Sequence, residues 1–139
     1  MLSLKSFLSR SAIALVLEVG ALGVVAASAE EGFPFGFEMT LDTASQPGSK
    51  RLPTLEIGDN GEATLDLWCK AGKGQFSVAG NTVIFVPGQM EDRAACAPGR
   101  AEIDDELLTT LSEATTWKRQ GDLVLFIGTK SLHFHINTN

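Results

Sequence analysis

Downstream of residue 30 the hydrophobic positions of this chain recur mostly with a period of two. The clearest case runs from Glu62 to Cys69. Ala63, Leu65, Leu67 and Cys69 share one parity, while Glu62, Thr64, Asp66 and Trp68 share the other. That alternation predicts a strand with one face on a core, and it points Cys69 inward with the leucines. Phe33, Phe35, Phe37 and Met39 lie on one parity of a looser strand that runs to Leu41, and Leu55 and Ile57 mark another. Gln75–Ala79 and Thr82–Val86 flank Gly80-Asn81, and Asp59-Asn60-Gly61 follows Ile57. Both are hairpin signals, because Gly and Asn tolerate the positive φ of tight turns. Gln46–Arg51 reads as a loop, Lys70–Gly74 as a turn and Pro87-Gly88 as the end of the central hairpin, with 89–96 an irregular strand ending at Cys96. Thr115–Lys118, Leu123–Ile127 and Leu132–Ile136 close the chain as strands.

One segment has a different period. Ile103, Leu107, Leu108, Leu111 and Ala114 fall on a single helical face, with Pro98 ahead of them. Glu102, Asp104, Asp105 and Glu106 crowd the first turns, where the helix dipole favours solvated acids. The sum is a mainly β chain with one helix, an α+β domain of seven to nine short strands joined by local hairpins. A small antiparallel barrel, partly closed and with the helix as plug or lid, fits this pattern, since closure removes exposed strand edges.

The N-terminus is of another kind. Lys5 and Arg10 precede an apolar stretch from Ala12 to Ala27, and Ala27-Ser28-Ala29 has the small residues of an export cleavage site. Residues 1–29 are therefore expected to be a cleaved signal peptide, with 30–52 the N-terminal strand and loop of the mature domain and 53–139 its core. The apolar run is short for a membrane span and is interrupted by Glu18, so no stable anchor is expected after cleavage. The expected location is the periplasm or the extracellular space.

Charge narrows the partners. Residues 30–139 hold nine Lys and Arg against sixteen Asp and Glu. Without a basic stripe, neither nucleic acid nor an anionic lipid surface is an expected partner. An envelope protein or a small ligand is.

Leu67-Trp68-Cys69-Lys70 followed by Gly74 resembles the Trp-Cys-Asn…Gly motif of the META domain, the HslJ-like family. Ala94-Ala95-Cys96 resembles that family's second block, usually Met-Thr-x-x-Cys. The acidic helix Glu102–Ala114 and the closing Leu123-Val124-Leu125 and Leu132-His133-Phe134 match its later elements in order and spacing. Lys70 stands where the family usually has Asn, and Glu91-Asp92-Arg93 where Met-Thr is common. The resemblance runs from about Pro53 to Ile136. It implies a small antiparallel barrel-like fold with one helix, an envelope or secreted location, and a role tied to stress tolerance, with no established catalytic activity.

The candidate chemistry is sparse. Cys69 and Cys96 are the only cysteines, and an exported chain makes a structural disulfide the expected reading over a reactive thiol. Closing a loop of that length stabilises by about 3.5 kcal/mol in the chain-entropy picture. His133 and His135 share one strand face and are weak candidates for a metal pair, but a zinc site needs three or four ligands and no other histidine exists. No metal and no cofactor are therefore expected. Trp68 is either a stacking surface or packed beneath the helix near Trp117. Phe33 and Phe35 belong to an aromatic run that is either a docked strand or a binding patch. Lys50, Arg51, Lys70, Lys73, Arg93 and Arg100 lie in predicted turns and could converge on one ligand. Trp68, Phe33, Phe35, Lys70 and Arg93 are thus the candidate partner or ligand surface. No Walker A, G-x-S-x-G or H-E-x-x-H pattern is present, so no catalytic residue is assigned and a non-enzymatic binding role is expected.

Overall fold

The structure, a computed structural model, describes residues 32–93 and 96–138. The predicted signal peptide lies outside the described residues, as do Ala94 and Ala95 of the second motif. Eight antiparallel strands follow in chain order around a closed barrel: β1 (Phe37–Leu41), β2 (Thr54–Ile57), β3 (Glu62–Asp66), β4 (Lys70–Ala79), β5 (Thr82–Asp92), β6 (Thr116–Gln120), β7 (Leu123–Ile127) and β8 (Ser131–Ile136). The helix α1 (Arg100–Ser112) sits between β5 and β6 in sequence. Pairing of β1 with β8, Met39 opposite Ile136 and Leu41 opposite Phe134, closes the ring.

Inward positions fill the barrel. Met39, Leu55, Ile57, Ala63, Leu65, Phe76, Val83, Phe85, Val124, Phe126 and Phe134 are all buried, so the interior is a packed core rather than a hollow. Its rings interlock: Phe126 meets Phe134 edge-on at 5.7 Å and lies tilted against Phe76 at 5.5 Å, and Phe33 stands edge-on to Trp117 at 5.2 Å. The helix adds Leu107, Leu108 and Leu111, and Ala114 just beyond its end is also buried.

Three local expectations are corrected. Lys70–Gly74 is not a turn but the first half of β4, and the chain reverses earlier, at Leu67–Cys69. Gly72 and Gly74 are there for close approach: a Cβ at Gly72 would lie 2.2 Å from the Gln89 carbonyl oxygen, and one at Gly74 2.5 Å from the Phe85 ring. Pro87-Gly88 does not end β5. The strand runs on to Asp92 through a register shift opposite Gly72–Gly74. Val83 donates its N–H away from β4, to Thr115, so by parity Pro87 lacks an N–H only on the side of β5 that has no strand partner there. Finally, the barrel is closed rather than partly closed, though β5 meets β6 at a single pair, Thr82 opposite Thr116.

Candidate functional site

The alternating parity of β3 ends at Asp66, and the residues just after it anchor the site. Leu67, Trp68 and Cys69 are all buried even though consecutive, because the chain turns there instead of continuing as a strand. The turn exposes three successive backbone N–H groups to Asp104 on α1. Asp104 Oδ1 accepts from Trp68 at 3.1 Å, and its Oδ2 accepts from Cys69 at 2.6 Å and Lys70 at 2.9 Å. Asp104 is fully buried, which corrects the expectation of a solvated acidic first turn. A buried carboxylate is tolerable only when donors surround it, and the turn supplies them. The disulfide between Cys69 and Cys96, with Cα atoms 5.5 Å apart, ties the same turn to the run-in of α1.

The structure sorts the candidate residues into two ends of the barrel. Trp68 is 8% exposed and donates its indole N–H to the Arg51 carbonyl at 3.0 Å. It offers one edge to a groove of about 220 Å³ between α1 and β8, lined also by Leu41, Ile103, Leu107 and Leu132. Trp117 lies elsewhere, against Phe33 with its indole N–H on Gly80. Phe33 is buried in the core at the β2–β3 end, whereas Phe35 and Phe37 remain 37% and 41% exposed beside it. Arg119 stacks over Phe37 at 5.2 Å. His133 and His135 are exposed on β8, and His135 Nε2 lies 3.2 Å from Asp42. Among the described residues no group of three or more His, Cys, Asp or Glu side chains is gathered as metal ligands require.

The predicted turn cations do come together in part. Lys70 Nζ lies 2.6 Å from Asp105 and 3.8 Å from Asp92. The hydrogen bond to Asp105, reinforced by the nearby carboxylates, raises its pKa from the ordinary 10.5 and keeps it charged. Lys73 is raised in the same way by its hydrogen bond to Glu62. Asp66 accepts Arg51 at 2.8 Å and also pairs with Arg93. Arg100, in contrast, bonds the Pro47 carbonyl.

Arg93 and Lys73 border a cleft of about 540 Å³ on the outer wall of β3, β4 and β5, with Thr64, Leu65, Asp66, Ala71, Gly72, Gln89 and Glu91 completing its lining. Strand register explains its shape. Asp66 lies opposite Ala71 and Ala71 opposite Glu91, while Thr64 lies opposite Lys73. Ala71 is thus a methyl group in the middle of a patch of longer polar side chains, and the hollow is the volume those neighbours leave above it. Ala71 went unsuspected because Lys70–Gly74 reads as a turn. Read as a strand, the segment puts Ala71 and Lys73 on the outward parity, which would have found the cleft.

The model of the META domain matches residues 38–136. The chain belongs to the META domain family. Its match reaches upstream of the motif-bearing region to include β1, the strand that closes the barrel. Two solved structures are similar in fold: an NMR structure of a protein from Burkholderia xenovorans, with a TM-score of 0.59 and 15% identity over 76% of this chain and 84% of that one, and a second NMR structure, with a TM-score of 0.56 and 13% identity over 73% of this chain and 89% of that one. No curated protein matches the sequence. In this META domain the motif residues Trp68, Cys69 and Lys70 are the ones whose backbone N–H groups Asp104 holds, so the motif marks the joint between barrel and helix.

Proposed function

We propose that this META domain is an exported, non-enzymatic binding module that works in the cell envelope and supports stress tolerance there. The carrying observation is the cleft over Ala71, on a barrel whose interior is filled by its own side chains. A filled barrel leaves ligands its outer wall and rims, and this cleft has the size of a small-molecule site. Its charged rim is largely committed to ion pairs, an arrangement suited to recognition. The signal-like N-terminus and the Cys69–Cys96 bond support the address, because disulfides persist in oxidising compartments. The stress role rests on the family.

A thermal-shift screen of envelope metabolites and envelope proteins against the wild type and Ala71→Leu tests the reading. The leucine fills the hollow without touching a charge. A ligand at a hundredfold its Kd should stabilise the wild type by about 2.7 kcal/mol and leave the variant unmoved. Equal stabilisation of both proteins by every hit would move the site away from Ala71.

A further inference from the structure

The rim charges of the Ala71 cleft are unevenly matched, and the mismatch has a direction. At the β3 side one lining carboxylate, Asp66, is shared by two guanidinium groups, that of Arg93, which also lines the cleft, and that of Arg51, from outside the lining. That leaves one positive charge in excess. On β5 the carboxylate of Glu91 is exposed and has no ion-pair or hydrogen-bond partner among the described residues. That leaves one negative charge in excess. Lys73 does not disturb this balance, because it is paired with Glu62 at 2.9 Å. Asp66, Ala71 and Glu91 stand in one row across β3, β4 and β5. Adjacent strands are about 4.8 Å apart, so the backbones of Asp66, where the excess positive charge is held, and of Glu91 lie roughly 10 Å apart across a small-residue floor. Thr64 and Gln89 set a hydroxyl and an amide along the side of that floor.

We infer that the cleft takes a short zwitterion, a free peptide of about three residues, with its carboxylate toward Arg93 beside Asp66 and its ammonium toward Glu91. Three extended residues span about 10 Å, which matches that backbone separation. A simple anion would leave Glu91 unmatched and near it, and a simple cation would leave the arginine pair unmatched. Only a ligand charged at both ends answers both. The inference rests on the cleft being the binding site proposed above.

Isothermal titration of the oxidised protein at low ionic strength tests it, with trialanine, N-acetyl-trialanine and trialanine amide as probes. Free trialanine should bind, and each cap should weaken binding about tenfold or more, the worth of one charge-assisted hydrogen bond. Glu91→Gln should erase the penalty for acetylating the amino end and keep the penalty for the amide. Arg93→Gln should do the reverse. Both rim positions are solvent-accessible, so the variants should fold, which circular dichroism checks. Equal affinity for capped and free peptides, or no heat with trialanine at millimolar concentration, overturns the zwitterion. If that happens while another compound still stabilises the wild type and not Ala71→Leu, the binding-module reading survives it. Trialanine bound equally well by wild type and Ala71→Leu overturns both.

Discussion

Asp104 shows how much one side chain can organise. Of the four acids in the first turns of α1 it is the one withdrawn from water, and its two oxygens answer three backbone donors of a turn more than 30 residues earlier in the chain. The side chain of its neighbour Asp105 interacts in a different way, by an ion pair with Lys70 from an exposed position. The physical distinction is the state left behind. Removing Asp105 leaves Lys70 beside its second carboxylate, Asp92, at an accessible rim. Removing Asp104 strands three N–H groups in a buried joint, each costing about 1–3 kcal/mol unless water enters. Asp104→Ala should therefore lower the unfolding free energy by about 3 kcal/mol or more in urea titrations, and Asp105→Ala by much less. Asp104→Asn should recover only part of the loss, because its amide group presents donors to donors. Equal midpoints for Asp104→Ala and Asp105→Ala would show that the carboxylate does not hold the joint.

At the level of elements the ring is uneven. β4 and β5 pair over almost their full length, whereas β5 and β6 share one pair plus the flanking bonds from Val83 to Thr115 and from Trp117 to Asn81. The helix is inserted between these two strands in sequence, packs chiefly against β5, and adds Leu108 and Leu111 to the core. A seam of so few hydrogen bonds should open before the ladder beside it. In native-state hydrogen exchange, the amides of Val83 and Trp117 should exchange with a lower opening free energy than those of Ser77 and Ile84; uniform protection across β4, β5 and β6 would refute a weak seam. The uneven ring also explains what the amino-acid pattern could and could not reveal. Strands with one wet face, such as β3 and β8, announce themselves by alternation, and α1 by its leucine spacing. β4 was obscured because its glycines serve cross-strand approach, at Gly72 and Gly74, and glycine in sequence reads as a turn. β5 was cut short because Pro87 normally breaks a ladder, and its harmless placement depends on which edge of β5 lies unpaired. Asp104 was missed for a related reason: its partners are backbone groups, which carry no side-chain signature. The cleft was half legible. Lys73 and Arg93 were visible as cations, but Ala71 acquires meaning only from its neighbours across two strands.

For the whole molecule the central problem is closure. β1 must find β8 from the other end of the domain, and such distant pairing costs loop entropy before it returns any stabilisation. The Cys69–Cys96 bond offsets part of that cost by joining the β3–β4 turn to the approach of the helix, a separation of 27 residues. Chain-entropy reasoning puts its worth at about 3.5 kcal/mol. For a domain near 100 residues each kcal/mol moves the midpoint by about 4–8 °C, so reduction should lower Tm by about 15–25 °C. It should not abolish the fold, because Asp104 clamps the same turn to the same helix without any sulfur. The two ties act on one joint, so their losses should combine severely. Domains of this kind have only about 5–15 kcal/mol in total, and losing both ties removes about 6 kcal/mol of it. Thermal melts of wild type and Asp104→Ala, with and without reductant, separate the cases. The reduced wild type should keep a cooperative transition and the near-ultraviolet signal of its packed Trp68 and Trp117. The reduced variant should be largely unfolded at 37 °C. A wild type whose midpoint ignores reductant would mean that the bond constrains nothing the hydrogen-bonded joint does not already hold, and the stability of the helix against the barrel would then rest on Asp104 and the leucine face of α1 alone.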